Sequence, residues 1–224
     1  MKKMDKVIYL SHLLSVNTPT YGNRNNFGIV KKSDISNGDV ANDSHISTTV
    51  HIGTHIDMPY HFYNNGPTIE DFDADFWIFN KPLIIDITQE DRIINERLIE
   101  KLSQIKDIDY DILIVKTGIE NKRNSDEFWD KNFGFHPDIY DYLTKYFPSI
   151  RVLGFDSISV SSFSDRLLGR EAHKRFLNPE QPILLLEDMK LKECNKEISK
   201  IIVAPLRIEE CDGLPCTVIG FYND

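Results

Sequence analysis

A short segment of the chain concentrates the side chains that most often bind metal ions and move protons. Residues 51–61 read HIGTHIDMPYH and include His51, His55, Asp57 and His61. Imidazole and carboxylate groups are the ligands of Zn²⁺, Mn²⁺ and related divalent ions. Gly53 lets the backbone turn closely, and Pro59 fixes φ and stops a helix or a central strand from continuing. The segment therefore predicts a metal site where a strand runs into a tight turn.

The order of these residues resembles the signature of the cyclase family of metal-dependent hydrolases, which includes bacterial kynurenine formamidases and isatin hydrolases. The family pattern His-x-Gly-Thr-His-x-Asp-x-Pro-x-His is met at every fixed position of residues 51–61. Further segments resemble the family in the same order along the chain: LSH at 10–12, GFDSIS at 154–159, AHKRFL at 172–177, ILLLED at 183–188, APLR at 204–207 and DGLP at 212–215.

The resemblance implies a ligand set for one or two divalent ions. It assigns His51, His55 and Asp57 to a first ion, and it places His173 and Glu187 on a second ion that Asp57 bridges. His61 stays off the ions as an acid/base, since a neutral imidazole can relay a proton and a metal-bound imidazole cannot. The alternative makes His61 a fourth ligand that closes a structural site. Zn²⁺ is the expected ion, and Mn²⁺ shares the same ligands.

Glu187 and Asp156 each have a second interpretation that the residues alone leave open. Glu187 ends the apolar run 183–186, and a carboxylate buried there is costly unless it is paired or bound to a cation. A glutamate that faces solvent at a strand end, and a His173 on a helix surface, are the simpler alternatives. Asp156 either orients a ligand histidine or caps a loop.

The chemistry that the resemblance implies is metal-assisted hydrolysis of an amide, formamide or lactam C–N bond, as in an arylformamidase. The cation lowers the pKa of water and stabilises an oxyanion, while His61 protonates the departing nitrogen. A lyase or dehydratase, or a metal-binding module without catalysis, would use the same ligands. Ser161, Leu214 and Thr217 depart from the family pattern, and the early tryptophan of formamidases is absent after Gly118. These departures leave the substrate open among amides, lactams and cyclic esters.

Composition and charge narrow the class of protein. The 224 residues, 41% of them hydrophobic, predict a single domain over 1–224. The net charge of −9 argues against nucleic acid or an anionic membrane as a partner, so we expect a small-molecule substrate. The sequence has no run of about 18 apolar residues, so no transmembrane helix is expected. The N-terminus also lacks the pattern of a signal peptide. Three cysteines without a CxxC pair are typical of a cytoplasmic protein. The resemblance implies a homodimer or homotetramer.

Hydrophobic patterns along the chain predict an α/β fold. Apolar or β-branched runs predict strands over 6–10, 47–52, 82–87, 111–117, 151–156, 200–206 and 215–222. Helical spacing predicts a helix over 95–105, and Pro137 is expected to open another. Residues 17–28, rich in Asn, Gly and Pro, predict a loop. The alternation is compatible with the family's fold, a β/β/α swivelling-domain-like core with a central mixed sheet flanked by helices.

Overall fold

The structure, a computed structural model, describes residues 6–24, 27–87 and 91–222. Its strands are β1 (Val7–Tyr9), β2 (Gly28–Ser33), β3 (Asp43–Ser47), β4 (His55–Asp57), β5 (Ile78–Phe79), β6 (Pro82–Asp86), β7 (Ile93–Ile94), β8 (Ile112–Lys116), β9 (Gly134–Phe135), β10 (Val152–Phe155), β11 (Leu184–Glu187), β12 (Ile198–Pro205) and β13 (Gly213–Tyr222). Its α-helices are α1 (Glu96–Ser103), α2 (Glu127–Asp130), α3 (Asp138–Tyr146) and α4 (Arg166–Phe176).

A mixed sheet of nine strands organises the molecule. The strand order is β5-β12-β13-β4-β11-β10-β8-β6, and β1 pairs with β13. The strands β6, β8, β10 and β11 run parallel to one another, whereas β4 is antiparallel to both of its neighbours. Because β6 and β12 also contact each other, the sheet is nearly closed. The short strand β4 therefore joins the parallel half of the sheet to the antiparallel half.

The burial of each strand and helix follows from its position relative to the sheet. The strands β8, β10 and β11 are largely apolar and buried on both faces, as expected for parallel strands that are covered on each side. In α1 the buried residues Leu98 and Leu102 lie four positions apart, which places both on one face of the helix. One hydrophobic cluster extends from Leu10 to Tyr222 and includes side chains from the sheet and the helices. No helix in the described part of the chain is long and apolar enough to cross a membrane.

The α/β class and its mixed central sheet are confirmed. The strands predicted near 6–10, 82–87, 111–117, 151–156, 200–206 and 215–222 are present, and helices occur over Glu96–Ser103 and after Pro137. The loop predicted over 17–28 contains a 3₁₀ turn at Tyr21–Asn23, gives way to β2 at Gly28 and includes residues 25–26, which lie outside the described part of the chain.

The prediction of a strand over 47–52 is wrong. Ser47 ends β3, which pairs with β2 in an exposed two-stranded hairpin, and residues 48–54 have no strand. Thr48 and Thr49 are exposed, so their β-branched side chains have no sheet surface to pack on. The strand that carries the histidine motif is instead β4, which starts within the motif at His55.

Candidate metal and acid–base site

The strand β4 places two of the motif's side chains on one face of the sheet. His55 and Asp57 are two residues apart, and successive side chains of a strand alternate between its faces. The neighbouring strand β11 pairs Glu187 with His55, which brings the glutamate to the same face. All three residues are buried. The three-residue strand β4 therefore places His55 and Asp57 beside Glu187, which is distant from them in sequence.

Asp57 contacts histidines from both sides through its two carboxylate oxygens. Its Oδ1 lies 2.8 Å from His51 Nδ1 and 3.4 Å from His55 Nε2. Its Oδ2 lies 3.6 Å from the Nε2 of His173, which α4 supplies. Glu187 contacts the same histidines, with Oε2 at 3.4 Å from His55 Nε2 and Oε1 at 4.0 Å from His173 Nε2. Asp57 is thus the carboxylate shared by the two halves of the site.

The rings of His55 and His173 are oriented so that one nitrogen of each faces these carboxylates. His55 Nδ1 lies 2.8 Å from the carbonyl oxygen of Gly53, and His173 Nδ1 lies 2.8 Å from that of Gly169. A carbonyl can only accept, so each Nδ1 donates its hydrogen and each Nε2 carries the lone pair. Backbone carbonyls commonly hold metal-binding histidines in this way. Both rings therefore present a ligand atom toward Asp57 and Glu187.

His51 and His61 meet at Asp212, a residue that the sequence did not single out as part of the site. Asp212 Oδ2 lies 2.8 Å from His51 Nε2 and 3.0 Å from His61 Nδ1. The two rings are 4.1 Å apart between centroids. His61 ends the 3₁₀ turn Pro59–His61, which follows β4 directly. Asp212 immediately precedes β13, and the pairing of β13 with β4 carries it to the motif.

Charges within this cluster shift the pKa values of its carboxylates. Burial alone would raise the pKa of Asp57, but the charge of His51 and hydrogen bonds from three histidines hold it well below its usual value. Burial, together with the charge of Asp57, raises the pKa of Glu187 well above its usual value. Hydrogen bonds from His51 and His61 lower the pKa of Asp212. A bound cation would favour the charged form of both buried carboxylates.

His51 titrates far from its usual range in the metal-free protein. Burial favours its neutral form, yet the charge of Asp57 and the hydrogen bonds to Asp212 and Asp57 outweigh that effect and raise the pKa to about 10. The His51 ring therefore carries a proton at neutral pH when no cation is bound. Its two ring nitrogens both face carboxylates, unlike those of His55 and His173.

The donor set fits divalent metal binding. Ligand atoms at about 2.0–2.2 Å from a tetrahedral ion lie about 3.3–3.6 Å apart. The contacts of His55 Nε2 with Asp57 and Glu187 are both 3.4 Å, and that of His173 with Asp57 is 3.6 Å. Among the described residues, two sets of donors lie within 4.8 Å of one another, namely His51, Asp57 and His61, and His55, Asp57 and Glu187. Because His51 Nδ1 is only 2.8 Å from Asp57, these two atoms must separate before they bind one ion.

Two glycines permit the close approaches that this geometry requires. Gly53 has a φ of +59°, and a Cβ at this position would lie 2.5 Å from a side-chain carbon of Leu14. Gly213, at the start of β13, packs directly against the ring of His51, where a Cβ would lie 2.4 Å from Cε1. The expected bend at Gly53 is therefore present, and Gly213 fixes the depth at which His51 lies.

A buried ion pair holds the end of the strand that carries Glu187. The next residue, Asp188, has a φ of +50°, which is uncommon for a residue other than glycine. Arg123 donates two hydrogen bonds to the Asp188 carboxylate, from Nε to Oδ1 at 2.8 Å and from Nη2 to Oδ2 at 2.7 Å. The Thr54 hydroxyl donates to the carbonyl oxygen of Asp188. Asp188 thus connects Glu187 with the residue that precedes His55.

The structure brings all six sequence-predicted residues together: His51, His55, Asp57, His61, His173 and Glu187. The alternatives of a surface His173 and a solvent-facing Glu187 are wrong, since both are buried. Asp156 caps a loop and does not orient a histidine: its carboxylate accepts hydrogen bonds from Thr117 and Gly118. Asp212 lies so far along the chain that only the pairing of β13 with β4 reveals its place.

A cavity of about 330 Å³ opens above these side chains. Its inner end is formed by the predicted metal ligands and His61. Its other walls are Pro19, Thr20, Tyr21, Arg24, Ile52, Gly53, Ile158, Ser159 and Ser161. The aromatic residues Phe128 and Phe135 lie in the core and do not line the cavity. The cavity is of a size that admits a small molecule.

Comparisons of sequence connect this site with known proteins. The chain is 29% identical over 174 residues to a kynurenine formamidase of Bacillus thuringiensis subsp. konkukian, covering 78% of this chain and 77% of the relative. It is 25% identical over 229 residues to cyclase-like protein 2 of Oryza sativa subsp. japonica, covering 96% of this chain and 78% of the relative.

Comparisons of structure show the same fold. Isatin hydrolase A from Labrenzia aggregata, bound to benzyl benzoate, superposes with a TM-score of 0.82 at 18% identity, covering 98% of this chain and 94% of that one. An isatin hydrolase bound to thioisatinate superposes with a TM-score of 0.81 at 19% identity, covering 98% of this chain and 93% of that one. The family model described as putative cyclase matches residues 8–162, which include the complete histidine motif. The chain therefore belongs to the cyclase family.

Proposed function

We propose that this protein is a metal-dependent hydrolase that cleaves the C–N bond of a small amide, formamide or lactam, in the manner of an arylformamidase. Family membership and the relatives named kynurenine formamidase and isatin hydrolase support the reaction class. The observation that carries the proposal is the position of Asp57, whose two oxygens face histidines on opposite sides of one cavity.

The proposed ligands divide into two groups around Asp57. His51, His55 and Asp57 would hold a first divalent ion, and Asp57, His173 and Glu187 would hold a second. Zn²⁺ suits these nitrogen and oxygen donors, and Mn²⁺ shares them. When bound, such an ion supplies a Lewis acid and lowers the pKa of a water molecule. The histidine orientations set by Gly53 and Gly169 support this assignment, because each leaves an Nε2 lone pair directed at the carboxylates.

His61 is proposed to move the proton. Its Nδ1 lies 3.0 Å from Asp212, so a hydrogen on Nδ1 is donated to that carboxylate and Nε2 is left to exchange a proton with the substrate. Asp212 therefore fixes the orientation of the ring, as a carboxylate does for the general base of other hydrolases. In this role His61 gives its proton to the departing nitrogen.

Hydrolysis of N-formylkynurenine, isatin and a matched lactone, followed with and without added zinc, tests the proposal. We expect turnover of at least one C–N substrate that is lost after dialysis against a chelator and restored by zinc. Full activity in the cation-free protein would contradict it. A zinc-loaded protein that hydrolyses none of these compounds would instead favour a lyase or a binding module.

His61→Ala separates the acid/base role from a role as a fourth ligand. We expect the variant to keep its zinc content and to lose about 10²-fold or more in kcat, as is usual for acid–base groups. Loss of zinc would instead assign His61 to the metal ligands. The position of His61 beside His51 and Asp57 makes this alternative worth testing.

We also propose that the protein acts in the cytoplasm as a homodimer or homotetramer. The three cysteines are free thiols. The β2–β3 hairpin exposes Ile29, Val30 and Ile46 by more than half of their surface. A two-stranded hairpin is marginally stable alone, so contact with a second copy would account for it. Light scattering after size exclusion tests this, with Ile29→Lys expected to lower the measured mass and a monomeric wild type contradicting it.

A further inference from the structure

The outer part of the cavity differs in chemistry from its inner end. Asp57 and Glu187 lie buried at the inner end, whereas Arg24 lines the cavity and is exposed. Apolar surface from Ile52 and Ile158 lies among the other lining residues. A ligand that reaches from the inner end to the opening would therefore meet carboxylates and histidines first and a guanidinium group last.

Two arginines near this opening have no acidic partner. Among the residues that the structure describes, no carboxylate lies within 4.0 Å of the charged nitrogens of Arg24 or Arg166. Arg123, by contrast, pairs with Asp188, and Arg175 pairs with Asp141. The chain has 35 acidic and 26 basic residues. Because no carboxylate of the described residues pairs with Arg24, this arginine keeps positive charge on the cavity wall where an anion can reach it.

Tyr21 lies near both of these arginines. Burial raises the pKa of Tyr21, and the charges of Arg166 and Arg24 act against that rise, which places both groups near its hydroxyl. The hydroxyl is shielded from solvent and makes no hydrogen bond of normal geometry within the described part of the chain. Its ring packs 5.6 Å from that of Phe163, which also lies under the Arg166 guanidinium at 5.5 Å. The Tyr21 hydroxyl has only a poorly aligned contact with Arg166, so it can donate to a ligand oxygen.

We propose that Arg24, with the Tyr21 hydroxyl, binds a carboxylate of the substrate, so that the preferred substrate is a small amide, formamide or lactam that carries a carboxylate. Arg166 adds favourable charge near Tyr21. A guanidinium and a carboxylate pair through two parallel hydrogen bonds, which fixes the orientation of the substrate. A monoanion suits the site better than a dianion because the inner end already holds carboxylates and the chain is acidic. This inference rests on the proposed function and specifies its substrate class.

A matched pair of probes tests the inference. N-formyl-L-phenylalanine and its carboxamide differ only in the charge of one group. We expect the zinc-loaded protein to favour the acid over the amide by roughly tenfold or more in kcat/KM, which is the effect of one charge-assisted hydrogen-bonded pair. The difference should arise from a lower KM for the acid. Arg24→Gln should bring this ratio toward one by raising KM for the acid. Arg97→Gln, which replaces an arginine on α1 that does not line the cavity, should leave the ratio unchanged.

Binding of the same two compounds, measured by calorimetry, tests the inference even without turnover. The acid must bind more tightly than the amide, and Arg24→Gln must remove the difference. Equal affinities, no binding at millimolar concentration, or a preference that survives in Arg24→Gln would overturn the inference. Absence of hydrolysis with this binding preference intact would contradict the proposed function and leave the carboxylate site supported.

Discussion

Replacement of Arg123 by methionine should destabilise the protein strongly and weaken the site beside it. Methionine keeps the length and apolar character of the arginine stem but donates no hydrogen bond. Asp188 is 1% exposed at its side chain and Arg123 is 14% exposed, so the pair is buried. His12 lies 3.8 Å from the same carboxylate, yet burial lowers its pKa to about 4 and leaves it neutral. Removing Arg123 would therefore leave a buried carboxylate without a charged partner.

The expected cost follows from that loss. Breaking one side of a buried ion pair costs about 3–5 kcal/mol. A domain has a free energy of unfolding of about 5–15 kcal/mol, and one of this size loses about 2–4 °C in Tm per kcal/mol. We expect a fall in Tm of about 10 °C. The positive φ of Asp188 is also held by these contacts, so the adjoining Glu187 should move and the zinc content should fall.

Thermal unfolding followed by circular dichroism, together with zinc content by mass spectrometry, measures both effects. Arg151→Met is the matched control, since Arg151 is also half-buried and donates to the carbonyl oxygens of Phe76 and Ile78, which do not line the cavity. It should lower Tm without changing zinc content at temperatures where it is folded. Adding Asp188→Asn to Arg123→Met should recover part of the lost stability. A Tm within about 2 °C of the wild type for Arg123→Met, or an unchanged zinc content, would refute the reasoning.

Further predictions concern the site itself. Asp212→Asn should lower kcat by about 10–100-fold, because His61 loses the carboxylate that orients it; steady-state kinetics checks this, and an unchanged kcat would exclude that role. Gly213→Ala should weaken zinc binding because the added Cβ would lie 2.4 Å from the His51 ring. Gly28→Ala, whose added Cβ would have its nearest atom at 3.4 Å, should bind zinc like the wild type. Equal zinc affinities of the two variants would contradict the account. Zinc binding at pH 7 should release a proton from His51, since ligands bind deprotonated; calorimetry in buffers of different ionisation enthalpy detects this release. The raised pKa of His51 also means that its contribution to the stability of the metal-free protein is complete below pH 6.5 and is lost as the pH rises toward about 10.

The sequence predicts most of the sheet because the strands of its parallel half are continuous apolar runs. Residues 112–115, 152–155 and 184–186 have this pattern and are buried. The pattern fails over 47–52, where the β-branched residues follow an exposed hairpin, and the motif's strand is only three residues long. A strand so short has no detectable periodicity, and its neighbours β11 and β13 define it.

The predicted site is nearly complete because six of its side chains lie in segments with a recognisable order. Asp212 and the Arg123–Asp188 pair were not predicted, since each depends on a contact between distant parts of the chain. A carboxylate in a turn sequence such as DGLP is ordinary by itself. Its role becomes visible only when β13 pairs with β4 and brings Asp212 between His51 and His61.

Zinc content of the wild type and of Asp57→Asn, measured after equilibrium dialysis, tests the central claim most directly. Asp57 is shared by both groups of proposed ligands, so one substitution should affect both ions. The account predicts two zinc ions per chain for the wild type and nearly none for Asp57→Asn, with cooperative unfolding retained by the variant. A folded Asp57→Asn protein that binds as much zinc as the wild type would contradict it.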